Sequence, residues 1–204
     1  MADTKKTVVV TGGSAGIGLQ ICEDLLKDGY TVISMARRTS PLEHVNLVSV
    51  EADLTCPDAT LHAAKNIAAN HNVGNLVHNA GVIRAALLEE VTHEDIIALT
   101  NLHIGAATTL LQQFLPAMKA ASFGRVVNMG SRAMVGLATR TAYSGTKAAI
   151  AAITKTWALE LGAYGITANT VAPGPVVTDM FTDVIPAESE KARALAQSLP
   201  VKRL

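Results

Sequence analysis

Short apolar runs rich in β-branched residues alternate with helical patterns along the whole chain, and no other feature restricts the fold as much. Residues 7–10, 30–35, 46–50, 75–77, 125–129 and 166–171 read as strands. Helical patterns fill 17–28, 57–70, a stretch from a capping Thr92 to about 119, and 141–162. In the first helix Ile17, Ile21 and Leu25 share one face. Such apolar strands suit burial on both faces of a parallel sheet. Parallel neighbours need crossovers, which the intervening helices supply with right-handed geometry. The expectation is an α/β fold: a doubly wound, Rossmann-type parallel sheet with helices on both faces.

No linker, repeat or low-complexity segment interrupts the 204 residues, so one domain over 1–204 is expected. Lys plus Arg equals Asp plus Glu at 17 each, which argues against nucleic acid or an anionic membrane as partner. Charged residues make up only 17% while hydrophobic ones reach 49%. That is little charge for a monomer's surface, so part of it is expected to be buried in an oligomer. No run approaches the ~20 apolar residues of a membrane span. The start of the chain lacks the apolar stretch of a signal peptide. Cys22 and Cys56 read as reduced thiols of a cytoplasmic protein. The six histidines show no metal spacing, so no metal is expected.

Between the first strand and the first helix lies Thr11-Gly12-Gly13-Ser14-Ala15-Gly16-Ile17-Gly18. A glycine turn in that context lets a backbone approach a pyrophosphate, and the helix N-terminus offers N–H groups and positive potential. The spacing is Gly-x3-Gly-x-Gly, unlike the usual Gly-x-Gly-x2-Gly. The same residues also match G-x-S-x-G, the nucleophile elbow of hydrolases, with Asp53 and His103 following in the right order. An elbow needs earlier strands to carry its oxyanion loop. This turn follows the first strand, which disfavours the hydrolase.

The second strand ends in Arg37-Arg38, and no acid occurs between Thr31 and Leu42. A NAD site places Asp or Glu about 20 residues past the glycines to hold the ribose 2′-hydroxyl. Two arginines there suit a 2′-phosphate instead, because a guanidinium fork matches phosphate. NADP(H) is therefore expected, with NAD(H) possible.

Tyr143-Ser-Gly-Thr-Lys147 opens the 141–162 helix. Residues four apart stack on one helix face. A phenol titrates near pH ~10, and an ammonium beside it favours the phenolate and lowers that value. The pair can therefore transfer a proton beside a bound dinucleotide.

These residues, with Asp53-Leu54, Asn79-Ala80-Gly81, Asn101, Ser131, and Pro173-Gly174 followed by Val176 and Thr178, make the chain resemble the short-chain dehydrogenase/reductase family along nearly its whole length. The resemblance implies catalytic roles for Asn101, Ser131, Tyr143 and Lys147. Tyr143 would exchange a proton with the substrate oxygen and Ser131 would hydrogen-bond it. Lys147 would bind the nicotinamide ribose and lower the Tyr143 pKa, and Asn101 would hold a water linking Lys147 to solvent. The implied cofactor contacts are Gly12, Ser14, Gly16, Ile17, Gly18, Arg37, Arg38, Asp53, Leu54, Asn79, Ala80, Gly81, Tyr143, Lys147, Pro173, Gly174, Val176 and Thr178. His78 stands where the family usually has Asn. Family members also continue past the last residue here with a helix, a seventh strand and a glycine-rich tail, so that strand is expected to be missing. His103, two past Asn101, reads as structural.

The expected activity is NADP-dependent hydride transfer on a carbonyl or alcohol. One alternative is reduction of a 3-oxoacyl group on acyl carrier protein. Ser122 and Tyr164 stand where such enzymes carry basic residues, which weakens it, though Lys119 and Arg125 lie nearby. A non-catalytic NADP-binding sensor is the other alternative, disfavoured by the intact catalytic set. Residues 180–198 are expected to form a substrate lid. The helices over 101–119 and 141–162 are expected to pair two subunits, into a homodimer or, with a seventh strand, a homotetramer. Ala148, Ala149, Ala151, Ala152 and Ile153 make the second helix apolar nearly all round.

Overall fold

A computed structural model describes residues 3–183 and 185–204; Met1, Ala2 and Val184, the last within the expected lid, lie outside the described residues. Six strands form one sheet: β1 (Thr7–Thr11), β2 (Thr31–Ala36), β3 (Leu47–Glu51), β4 (Asn75–His78), β5 (Gly124–Met129) and β6 (Ile166–Val171). Their order is β3-β2-β1-β4-β5-β6 and every pairing is parallel. This is the doubly wound arrangement, with its order reversing between β1 and β4.

Helices α1 (Gly16–Lys27), α2 (Pro57–Asn70), α3 (His93–Thr100), α4 (Ala106–Ala120), α5 (Thr141–Leu161), α6 (Asp179–Thr182) and α7 (Glu190–Ser198) complete the chain. Successive strand residues point to opposite faces. Val8 and Val10 accordingly pack with Cys22 and Leu26 of α1. Val9 packs on the other face with Ile67 of α2, Leu110 and Phe114 of α4, and Leu161 of α5. Burying one such side chain contributes about 1.5–3 kcal/mol. Cys22, a free thiol held under the glycine turn, is pushed up to about 11 by burial, against a weaker lowering by Ser34.

Three sequence expectations change in detail. In α1 the face that reaches the sheet is Gly18, Cys22 and Leu26, with Ile17, Ile21 and Leu25 flanking it half-buried. Gly18 sets this rotation, because only a glycine lets the helix come so close to β1. The edge strand β3 is mostly exposed, since it has a neighbour on one side only. The helix expected from Thr92 to about 119 is broken by a π turn at Asn101–Gly105. There the Ala106 N–H reaches back five residues to the Asn101 carbonyl. That shift leaves the Leu102 carbonyl for His78 Nε2, 3.0 Å away in β4.

Candidate active site

The C-terminal ends of β1, β4, β5 and β6 bring the predicted residues to one edge of the sheet. Gly12 (φ +69°) and Gly16 (φ +53°) take left-handed backbone conformations that favour glycine. A Cβ on Gly18 would overlap the Gly12 carbonyl. The unusual Gly-x3-Gly-x-Gly spacing thus answers two needs, left-handed turning and close helix packing. Gly18→Ala is expected to cost about 1–3 kcal/mol by overpacking. Urea unfolding checks this, and a midpoint equal to wild type would contradict the packing argument.

The N-cap of α1, Ala15, makes no side-chain cap bond, and no acid occupies the first turn. The first N–H groups of α1 are therefore left without an internal acceptor. Glycine-lined backbone and uncapped N–H groups fit a dinucleotide's pyrophosphate. Arg37 and Arg38 stand exposed just past β2. Asp53 is held below its usual range by the Thr55 backbone N–H first, then by the Thr55 hydroxyl and the charge of Arg37. Leu54 packs into the core instead of opening to the crevice.

Beside this turn, Thr11 organises the start of the next loop. Its hydroxyl oxygen accepts the N–H groups of Asn79 (3.0 Å) and Ala80 (2.9 Å). Its proton therefore goes to His78 Nδ1, 3.1 Å away. His78 is then the neutral Nε2–H tautomer, donating to the Leu102 carbonyl. Burial, then the charge of Lys147, holds its pKa down to about 3. The Asn79 side-chain amide donates to the Thr11 carbonyl at 3.1 Å.

Past β5 the chain turns sharply, and Ser131 Oγ caps the turn by accepting the Ala133 N–H at 3.1 Å. Its own proton stays available, and the bond between Ser131 and Tyr143 favours the ionised form of the phenol. Lys147 is buried, 4% exposed, and donates to the Met129 carbonyl. Burial alone lowers its pKa to about 8. Lys147, expected to lower the Tyr143 pKa, is not among the groups that shift it. Burial is the largest influence and raises the phenol, while Ser131 and then the charge of Arg140 oppose it. Lys147 Nζ points at the Met129 carbonyl and lies 5.7 Å from the phenol ring centre.

His103, read as structural, proves to abut this centre. Thr146 Oγ1 donates to main-chain carbonyls of α5, so it accepts from His103 Nδ1 at 2.8 Å. The imidazole meets the Tyr143 ring edge-on, 5.6 Å between centres. Its buried Nε2 has no partner and faces the space beside Gly81, where a Cβ would lie 3.1 Å from it and 3.6 Å from Lys147 Nζ. Asn101 stands on the π turn, and its amide donates to the Thr55 carbonyl at 3.1 Å.

A cleft of about 240 Å³ opens over these groups. Of the predicted residues, Ile17, Asn79, Gly81, Ser131, Tyr143, Lys147, Pro173, Gly174, Val176 and Thr178 line it. Gly12, Ser14, Gly16, Gly18, Arg37, Arg38, Asp53, Leu54, Ala80 and Asn101 do not. Ile83, Arg132, Leu137 and Arg140 also line the cleft and were not expected there, because they come from segments with no motif of their own. Phe181, Ile185 and Leu195, inside the expected lid, also face the cleft. Among the described residues no three His, Cys, Asp or Glu side chains gather as a metal site, and no helix is long and apolar enough to cross a membrane.

Known proteins share the family and the fold. The family model described as short chain dehydrogenase matches residues 6–189. An acetoacetyl-CoA reductase of Cupriavidus necator is 30% identical, over 98% of this chain and 85% of its own length. A 3-oxoacyl-[acyl-carrier-protein] reductase, MabA, of Mycobacterium avium is 32% identical, over 100% of this chain and 78% of its own. Among solved structures, a 3-oxoacyl (acyl-carrier-protein) reductase from Agrobacterium tumefaciens with NADP bound superposes with a TM-score of 0.84 at 28% identity. It is matched over 95% of this chain and 79% of its own.

Proposed function

The chain belongs to the short-chain dehydrogenase family, and on that premise we propose that it is an NADP(H)-dependent oxidoreductase acting on a carbonyl or alcohol. The observation that carries this reading is the convergence of Ser131, Tyr143 and Lys147 on one largely apolar cleft beside an uncapped helix N-terminus. The bound dinucleotide supplies or accepts the hydride. Tyr143 passes the proton to or from the substrate oxygen, and Ser131 donates a hydrogen bond to that oxygen. Lys147, held by Met129, places its ammonium against the nicotinamide ribose. Asn101, with its amide committed to Thr55, keeps its oxygen for a water that links Lys147 to solvent.

The glycine turn with Ser14 and Ile17 holds the pyrophosphate in this reading. Asp53 and the Leu54 backbone border the adenine, Asn79-Ala80-Gly81 the adenosine ribose, and Pro173, Gly174, Val176 and Thr178 the nicotinamide. Residues 180–198 act as a lid through Phe181, Ile185 and Leu195. A screen of carbonyls with NADPH and of alcohols with NADP, followed by nicotinamide absorbance, tests the activity. Tight NADPH binding with no turnover of any compound would mark a cofactor-binding sensor instead.

NADP preference rests on Arg37, with Arg38 secondary. A charge-assisted hydrogen bond contributes about 1.5–3 kcal/mol, so Arg37→Asp is expected to weaken NADPH roughly ten- to a hundredfold. NADH then becomes the better ligand. Titrating both cofactors into wild type and variant checks this, and tighter NADH than NADPH in wild type contradicts it.

The relatives' names favour a second reading, reduction of a 3-oxoacyl thioester. Against a protein carrier, both nearby cations are engaged. Lys119 sits over the Tyr164 ring at 4.2 Å, and Arg125 stacks on Phe123 while donating to the Gly124 and Gly165 carbonyls. Turnover of a carrier-bound 3-oxoacyl group far above that of its free acid would favour this reading.

We also propose a cytosolic homodimer, at least, through α4 and α5. Ala152 is exposed and Ala148, Ala149 and Ile153 are half-exposed, while Leu159 is 87% exposed. Ala151, expected on the same face, is buried within the subunit and adds nothing to it. Light scattering at micromolar concentration should give at least twice the chain mass; a monomer overturns this.

A further inference from the structure

We infer that Arg132 and Arg140 form an anion subsite of the catalytic cleft, so that the substrate is an oxo or hydroxy acid whose carboxylate they hold; this rests on the oxidoreductase reading of the same cleft. The two arginines come from the turn after Ser131 and from the start of α5, three residues before Tyr143. Both face the cleft that contains Ser131 and Tyr143.

Charge is the first argument. The chain as a whole is neutral. Yet among the described side chains the cleft is lined by three cations, Arg132, Arg140 and Lys147, and by no Asp or Glu. Among the described residues neither arginine forms an ion pair; the pairs present involve Lys27 and Arg84. A cleft of one sign with apolar walls focuses its field on an oppositely charged ligand.

Placement of the guanidinium is the second. Arg140 Nη1 donates to the Thr139 carbonyl (3.1 Å) and to Thr139 Oγ1 (2.6 Å). Thr139 holds a left-handed backbone at φ +63°, and its carbonyl also accepts the Ala86 N–H at 3.1 Å. The loop carrying Arg140 is therefore tied at both ends of its turn. One nitrogen anchors the group, and Nε and Nη2 remain as the fork that matches a carboxylate. The Arg132 backbone is pinned likewise, its N–H donating to the Pro173 carbonyl at 3.0 Å.

Proximity to Tyr143 is the third: Arg140 stands three residues before it, at the start of α5, and lines the same cleft. The charge of Arg140 acts on the Tyr143 phenol. An anion at Arg140 thus lies near the carbonyl that Tyr143 addresses. A carboxylate a few carbons from the reacting carbon meets that requirement, and the phosphates at the far end of a coenzyme A thioester do not. The cofactor's own phosphates have Arg37, Arg38 and the α1 N-terminus, outside this part of the cleft.

The test is calorimetric, on full-length protein saturated with NADP, which cannot reduce an oxo compound. The probes are 2-oxohexanoate, 3-oxohexanoate, their methyl esters, and coenzyme A. At least one acid should bind roughly ten- to a hundredfold tighter than its ester, the range of a charge-assisted bond. Arg132→Gln and Arg140→Gln should each remove most of that advantage and leave NADP affinity and melting temperature as in wild type. Should Arg140→Gln misfold, the exposed Arg132→Gln and the charge-keeping Arg140→Lys still decide. Equal binding of acid and ester, no binding of either acid at millimolar concentration, or an advantage that survives both variants overturns the subsite. Coenzyme A binding that depends on these arginines, without acid binding, overturns the carboxylate in favour of phosphate. Arginine-dependent acid binding with no turnover by NADPH of any carbonyl supports the subsite while the oxidoreductase reading fails.

Discussion

Tyr143→Phe is expected to lower turnover by about 10²–10⁴, the usual contribution of a positioned acid or base. NADPH affinity should stay nearly unchanged. The variant removes one oxygen and keeps the ring that meets His103 edge-on. Packing therefore survives, and the loss reads out proton transfer. No other group in the cleft can replace the phenol. Ser131 already accepts the Ala133 N–H and has an alcohol's acidity, while Lys147 is bound to the Met129 carbonyl. Because burial raises the phenol above its ordinary value, Tyr143 is protonated at neutral pH. That state can protonate a carbonyl oxygen, so reduction should dominate near neutrality, and alcohol oxidation should gain as pH rises. Purified variant with wild-type turnover would remove Tyr143 from the mechanism.

Acid should unfold the protein early, through two buried imidazoles. In the folded chain His78 stays neutral down to about 3 and His103 down to about 2, in both cases chiefly because burial disfavours the cation, with the charge of Lys147 adding to it. In an unfolded chain each ring takes a proton near 6.5. The unfolded state then binds more protons, so stability is fully present above about pH 6.5 and falls as pH drops below it. Each ring removes about 1.4 kcal/mol per pH unit. Two rings over the stretch from pH 6.5 to 5.0 remove roughly 4 kcal/mol, a large share of the whole stability of many domains. Urea midpoints at pH 7.0, 6.0 and 5.0 should decline steeply. His78→Asn should flatten the decline by about half, even if it lowers stability at pH 7 by weakening the link to Leu102. A wild-type midpoint that is level between pH 6.5 and 5 would show that one or both rings accept protons in the folded state.

The element order and both chemical motifs were legible in the sequence. Strand and helix periods differ, so 57–70 and 166–171 could be bounded to the residue. Glycines at 12, 16 and 18 announce backbone constraints that no other side chain meets, and a Tyr and Lys four apart on a helix must share a face. What escaped were features without a local pattern. The π turn at Asn101–Gly105 carries the same apolar rhythm as an α-helix. Only the offer of a donor, His78 Nε2, from another strand frees the Leu102 carbonyl. His103 looks like any core histidine until Gly81 and Lys147 come to face its unpartnered nitrogen.

The sequence by itself therefore determined the family and the winding of the sheet, and it named the residues proposed here for catalysis, because each depends on residue type and spacing along one element. Tertiary structure decided the electrostatics and the outline of the cleft. Desolvation depends on everything packed around a group, which is why burial raises the Tyr143 phenol and lowers Lys147 in a way that local spacing does not foretell. Arg132 and Arg140 are eight positions apart in a loop without a motif, and only the fold of that loop against Thr139, Ala86 and Pro173 brings both arginines to the lining of one cleft.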